Sequence, residues 1–451
     1  MKKIYYFLLF CLILVIIAVQ IHWFAPETSR AMVQSWIDQV MGGKESGSSK
    51  SAAANKANDD TGPVRIGYGY YTSGKREAFN NGIQMAVDEI NQSPNAAFNG
   101  RKLEAVEVDL PSTPNPNAMW HFAQKISEQN LVATVLSAGG GGENAIIGSA
   151  VFEKFRIINL WPYTTTTKLT QHNFKYVFRN IPNNSAQAEI MAKACADVGC
   201  KNVGIVYVRS SSGEELAGLL DKHVNHIDQA NVAFYQSIYP EQKDFFPIVT
   251  RFLVKHKAKP MDAIFFSGST REAIPFITLL REFKIEVPII LGVSQNDPKF
   301  LEIGGRGPSP VIGSVVVGLF QEEDPENALF IKEYNAIFKK KLPSYTTAAQ
   351  AFDSVMLLVE AMRYGRSADP DSMVSYLRYG GVLANKGKKN PRRHFPNGEI
   401  LGHDYFLQIV REKKNKDGKM VLYFDTYRQE DQCIFKKGVS CMSQPESGAA
   451  H

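Results

Sequence analysis

Between Leu131 and Thr167 the chain passes twice from an apolar run into a bare polar loop, and that rhythm limits the folds open to it. Leu131–Ala138 is a short apolar run of the kind that makes a strand buried on both faces. Gly139–Gly142 follow, then Asn144–Arg156 reads as a helix. A second run, Ile157–Trp161, ends in Pro162-Tyr163 and the threonines Thr164–Thr167. Such an order predicts parallel strands whose following loops share one sheet edge, where ligands of doubly wound folds bind. Glycines expose backbone N–H groups there without bulk, and threonines offer hydroxyls. The stretch therefore reads as half of a binding site. A purely conformational glycine turn and a plain surface turn are the alternatives. No Gly-Lys-Ser/Thr follows the glycines, which argues against a phosphate-cradling loop.

A chain of 451 residues exceeds one ordinary domain. Behind Lys2 and Lys3, Ile4–Ile21 is apolar except for Gln20. This is close to the roughly 20 residues that span a bilayer core. Trp23 suits an interfacial anchor and no small-x-small cleavage site follows, so an uncleaved signal anchor over residues 1–24 is expected rather than a cleaved secretory signal. The positive end would stay inside, leaving the rest of the chain outside the cytoplasm, in the periplasm. Residues 25–62 read as a juxtamembrane segment and flexible linker, since Gly42–Gly62 carries no apolar periodicity.

From Val64 onward, strands alternate with helices. Val64–Tyr71 is a strand, and Arg76–Asn91 places Phe79, Ile83, Ala86, Val87 and Ile90 on one helical face. A second β-α series follows Asn183-Asn184 and runs to the apolar strand Val311–Phe320. Two amphipathic helices, Asn327–Lys341 and Thr346–Tyr364, precede extended segments around Pro396-Asn397-Gly398 and the strands Tyr405–Glu412 and Met420–Asp425. The predicted class is α/β with two doubly wound parallel-sheet lobes. Lobe 1 is assigned residues 63–180 with part of 321–385, and lobe 2 residues 181–320 with part of 386–427. Residues 428–451 are assigned to a C-terminal tail.

The formal charge of +6 is modest, and its basic clusters Lys386–Arg393 and Arg411–Lys419 read as a solvated loop and hairpin. No nucleic-acid motif accompanies them, so a nucleic-acid partner is not expected. Cys195 and Cys200 are close in sequence, as are Cys433 and Cys441. Each pair is a candidate disulfide in an oxidising compartment, with reduced thiols as the alternative. His223 and His226 lie three apart on a helix without a third ligand in the sequence, so no metal is expected. No Gly-x-Ser-x-Gly elbow, His-Glu-x-x-His helix or metal-binding cysteine cluster is present, and the chain reads as a binding protein without cofactor, not an enzyme.

Several local patterns, taken in order, resemble the type I periplasmic binding proteins, specifically the branched-chain amino-acid and amide-binding branch that serves ABC transporters. Ile66–Gly74 with Gly82-x-x-x-Ala86-x-x-x-Ile90-Asn91 resembles the family's opening strand, loop and helix. Ser137 with its glycine loop resembles the second binding loop, and Pro162–Leu169 the third. Val177-Phe178-Arg179-Asn180-Ile181-Pro182 is similar to the first crossing between lobes. Ala348–Asp353 is similar to the helix usually reading Ala-x-x-Tyr-Asp, and Phe395-Pro396-Asn397-Gly398 to the terminal hairpin.

The resemblance implies two lobes that close over a small ligand, read by an ABC transporter permease. A tethered sensing domain reporting to a membrane receptor is the other expectation. Carried over by position, first-lobe contacts fall on Tyr71, Ser137, Ala138, Gly139, Gly140, Thr164 and Thr165, and second-lobe contacts on Ser212, Ser269, Thr270 and Ser294. Arg179, Asn180 and Phe320 fall at hinge positions. The amino-acid binders of the family carry an acid after the strand matching Ile289–Gly292, where this chain has Ser294 and Gln295. Burying a ligand ammonium without a carboxylate is costly, so a neutral polar or anionic molecule is expected. Asp297, Glu143 and Glu214 are the acids that could substitute.

Overall fold

The computed structural model describes residues 62–435 apart from 72, 112–115, 138–141, 306–308, 323, 341, 343–344, 380–382, 386–387, 395–396, 402–404 and 416. The expected anchor and linker, Cys441 and the end of the chain lie outside the described residues. Among the described residues no helix is long and apolar enough to cross a membrane.

Five short runs, β1 (Val64–Tyr70), β2 (Leu103–Glu107), β3 (Ala133–Ser137), β4 (Ile158–Trp161) and β5 (Val177–Arg179), pair in parallel in the order β2-β1-β3-β4-β5. The central strands β3 and β4 are buried along their whole length, which accounts for their unbroken apolar sequence. One face is covered by α1 (Ser73–Gln92), α10 (Pro325–Phe338), α11 (Thr346–Gly365) and α12 (Pro370–Tyr379), whose Phe79, Ile83, Tyr334, Phe352 and Leu377 share a core with Val64 and Ile66. The other face packs Met119 and Phe122 of α2 (Pro116–Ser127) and Ile147 and Phe152 of α3 (Glu143–Phe155) around Trp161. A one-turn helix, α4 (Lys168–Gln171), follows β4.

The second sheet repeats the same winding. β6 (Asn202–Val208), β7 (Asn231–Ile238), β8 (Ala263–Ser267), β9 (Ile289–Leu291) and β10 (Val315–Gly318) run parallel in the order β7-β6-β8-β9-β10. Their flanking helices are α5 (Asn184–Ala196), α6 (Ser211–Val224), α7 (Phe246–Ala258), α8 (Thr270–Glu282) and α9 (Pro298–Gly304). In both sheets the order of winding reverses, between β1 and β3 in the first and between β6 and β8 in the second. The segment after Pro370–Tyr379 forms β11 (Leu383–Asn385), β12 (Lys388–His394) and β13 (Ile400–Leu401), then the hairpin β14 (Phe406–Lys414) and β15 (Met420–Thr426). β14 pairs antiparallel with β10 and completes the second sheet.

Three expectations need correction. Cys195 and Cys200 do not form a disulfide: both are free thiols buried beside Ile181 and Val203, where they pack as small apolar groups. Burial pushes the Cys195 thiol well above its ordinary range, with Cys200 adding to the shift, and this makes it a poor nucleophile. Cys433 is disulfide-bonded. The tail does not begin at 428, because Gln429–Phe435 forms a 3-10 helix held by the ion pair of buried Asp431 with Arg411. Within the basic cluster expected as a loop, Lys388–His394 is a strand paired with β13.

Candidate functional site

The crevice beyond the carboxyl ends of β1 and β3 is the switch point of the first sheet, and that beyond β6 and β8 is its counterpart in the second. Three contacts show that the two edges face each other. Thr165 Oγ1 lies 3.5 Å from Ser212 Oγ, the Thr167 N–H donates to both Glu215 carboxylate oxygens at 3.1 Å, and Lys75 Nζ pairs with Asp297 Oδ2 at 3.0 Å.

In the first lobe the loops after β1, β3 and β4 converge. The Tyr71 N–H donates to Ser137 O at 3.1 Å, which ties the first loop to the end of β3. Tyr70 enters the core while Tyr71, 37% exposed, stacks on it at 6.0 Å and stays at the edge. Ala138, Gly139 and Gly140 lie outside the described residues. Gly142 shows how the glycine loop meets the threonine loop. Its φ is +98°, and a Cβ there would lie 2.6 Å from Thr166 Cγ2. Positive φ and close approach together leave room for glycine alone. Thr164 and Thr166 are buried and Thr165 and Thr167 half-buried, and it is the hydroxyls of Thr165 and Thr167 that reach the facing lobe, at Ser212 and Glu215.

The second-lobe residues divide by local role. Ser210 caps α6 through Gly213 N at 3.1 Å and so orients Ser212 and Glu215. Ser269 forms a capping box with Glu272, which commits its hydroxyl to the start of α8. Ser294 is exposed in the 3-10 turn after β9. The Thr270 hydroxyl and Gln295 Oε1 are buried without a hydrogen-bond partner, while Gln295 Nε2 donates to Gly268 O at 3.0 Å. Two unsatisfied polar atoms thus lie on the loops that the resemblance assigns to ligand.

Of the acids weighed as ammonium partners, Asp297 is engaged, as are two acids not weighed, Glu215 and Glu272. Asp297 pairs with Lys75 across the lobes and caps α9 through Lys299 N at 2.9 Å. Glu215 receives Thr167 and Asn184, and Glu272 is buried in its cap, also accepting Glu241 N at 2.8 Å. Burial pushes the Glu143 carboxyl above its ordinary range, Lys168 opposes the shift and Glu214 adds to it. Among the described residues no group of three or more His, Cys, Asp or Glu could hold a metal ion.

At the hinge, Arg179 is fully buried, and Asn180 donates from Nδ2 to Ser354 Oγ at 2.9 Å while its carbonyl accepts from Gln350 Nε2 at 3.0 Å. The crossing therefore rests on the helix containing Ala348–Asp353. Burial pushes the Arg179 pKa down, while Glu399, Tyr405 and Glu215 pull it up. Phe320, just past β10 of the second sheet, packs into the first lobe's core, edge-on to Phe330 at 6.3 Å. Glu215 and Glu399 were not among the residues expected from the sequence. Neither follows a strand in a loop pattern, and only the packing reveals them.

The profile of the periplasmic binding protein family matches residues 63–415. A Leu/Ile/Val-binding protein homologue of Brucella melitensis is 21% identical over 311 residues, covering 66% of this chain and 77% of that protein. An ABC transporter substrate-binding protein of Desulfitobacterium hafniense in complex with Leu superposes with a TM-score of 0.66 at 22% identity, over 80% of this chain and 100% of that one. A type 1 periplasmic binding protein of Bordetella pertussis gives a TM-score of 0.68 at 16% identity, again over 80% and 100%.

Proposed function

The chain belongs to the periplasmic binding protein family, and on that premise we propose that it is a solute-binding protein that closes two lobes over a small amino-acid-like, amide or organic-acid ligand for an ABC transporter. The family is one of binding proteins, not enzymes, and membership implies a folded domain outside the cytoplasm. The contact of the threonine loop with Ser212 and Glu215 carries the reading, because it brings two switch-point edges together around one cleft. A ligand touching both edges favours the closed state and shifts the population toward it. Moving that equilibrium from 1:99 to 99:1 takes about 5.5 kcal/mol of preference.

A carboxylate on the ligand suits the half-buried hydroxyl of Thr165 at the cleft edge. The engagement of Asp297, Glu215 and Glu272 supports a ligand without an ammonium group. Thermal shifts of the purified protein against leucine, amides, ureas and organic acids test this. A true ligand at 100 times its dissociation constant is expected to stabilise the fold by about 2.7 kcal/mol. A shift with leucine-like amino acids alone would overturn the ammonium argument, and no shift with any class would overturn the ligand assignment.

The apolar run Ile4–Ile21 supports an uncleaved anchor that tethers the domain at the membrane. Mass spectrometry of protein extracted from membranes is expected to find this run attached, and a mature start near Ala25 would refute the tether.

A further inference from the structure

The deepest charged group beside the proposed site is Arg179, at the end of β5 and wholly buried. Its guanidinium turns back beneath the threonine loop. Nη1 donates to Thr164 O, and Nη2 donates to Thr166 O at 2.5 Å. Nε lies 2.9 Å from Glu399 Oε1, close enough for an ion pair but out of line for a hydrogen bond. The other carboxylate oxygen, Glu399 Oε2, accepts from Thr170 Oγ1 at 3.0 Å and Asn183 Nδ2 at 3.1 Å. Asn183 in turn caps α5, the first helix of the second lobe, accepting from Ser185 N at 2.9 Å and Ala186 N at 3.1 Å. The main chain closes the same knot, since Arg179 N donates to Gly398 O at 3.0 Å and His394 Nε2 lies 2.9 Å from Arg179 O.

One ion pair, wholly buried at Arg179 and part-buried at Glu399, thus joins the loop proposed to hold ligand, the first crossing between lobes and the hairpin that returns between them. We propose that Arg179 and Glu399 are positioning residues that couple the hinge to the threonine loop, so that rotation of the lobes and the pose of Thr164–Thr167 change together. Arg179 fixes two carbonyls of the loop inward, and this leaves the Thr165 hydroxyl to face Ser212. Glu399 transmits movement of Asn183, which starts α5, to the same guanidinium. A lysine cannot reproduce the arrangement, because its single ammonium lacks the planar fork that reaches two carbonyls and a carboxylate at once. The proposal rests on the binding-protein reading for its functional consequence, though its structural consequence can be read without ligand.

Hydrogen–deuterium exchange on the full chain, free of ligand, tests it with Arg179→Lys and Glu399→Gln. Both are expected to accelerate exchange by about tenfold or more in 163–171 and in the first turn of α5, with β1 and β3 unchanged, as for a local opening. Acceleration confined to the substituted segment, or spread evenly over both lobes, would overturn the coupling. If Arg179→Lys does not fold, Glu399→Gln alone decides. Titration with the amide, urea or organic acid that shifts the unsubstituted protein in the thermal screen supplies the functional readout: each variant is expected to bind about tenfold more weakly, and the double variant no worse than the weaker single one. Additive losses would overturn the shared role. Absence of a shift from any of these classes would count against the ligand assignment, and the exchange pattern would still decide the coupling.

Discussion

Replacing Glu215 with alanine is expected to weaken ligand binding by about 30- to 150-fold, the equivalent of about 2–3 kcal/mol. Its carboxylate is carried by the second lobe but receives the first lobe's Thr167 N–H at 3.1 Å and the Thr167 hydroxyl at 2.5 Å. Asn184 Nδ2, beside the hinge, donates to the same carboxylate at 2.7 Å. With the lobes apart, water replaces the two Thr167 bonds, while the Asn184 bond stays within the second lobe. With the lobes together, truncation leaves the two Thr167 donors without their acceptor, and hydrogen bonds to a charged group are the strong ones. The loss therefore falls on the closed state, which is the state a ligand selects. Calorimetric titration of Glu215→Ala and Glu215→Gln with a compound identified by thermal shift checks this. Glutamine, which keeps an acceptor oxygen, is expected to fall between alanine and the natural residue. Affinity unchanged in the alanine variant would show that the contact does not govern closure.

The second large effect concerns stability. α1 crosses α11 at Gly82, where an added Cβ would lie 2.1 Å from Ala348 O and 2.8 Å from its carbonyl carbon. Both obstacles are backbone, so no side chain can swing aside. Alanine would favour α1 by about 1 kcal/mol through helix propensity. The clash requires the two helices to separate, and overpacking of a close core costs about 1–3 kcal/mol, occasionally more. With a backbone obstacle the cost lies at the upper end of that range, so the collision outweighs the propensity and Gly82→Ala is expected to destabilise the protein by about 1–2 kcal/mol net. Urea unfolding followed by circular dichroism reads the change. A midpoint equal to or above that of the natural chain would show that the helices are not held this closely.

The same glycine shows why some of the fold was legible and some was not. Gly82, Ala86 and Ile90 occupy one face of a helix by spacing alone, and the sequence-level expectation of a helix over 76–91 lies within the observed Ser73–Gln92. That Gly82 meets Ala348 across more than 260 intervening residues is not a property of either segment. The parallel strands were legible for a comparable reason, since residues buried on both faces of a sheet must be apolar without interruption, as in Ala133–Ser137 and Ile158–Trp161. Cysteine spacing was a weaker guide. Cys195 and Cys200 stand close in the chain, yet both thiols remain free in the apolar core.

By itself the sequence determined the two β-α series, the glycine and threonine loops at the sheet edge, and the family to which the chain belongs. These rest on local periodicity and loop chemistry, which act over a few residues. Only the tertiary structure decided which groups face one another. It turned Asp297 toward Lys75, spent the Ser269 hydroxyl on a helix cap, and brought Glu215 against Thr167. It also brought Arg179, Thr164 and Glu399 into one buried knot. A charged side chain reads in sequence as a surface group. Whether it is buried and what it meets depend on contacts between segments far apart in the chain, and no local pattern encodes them.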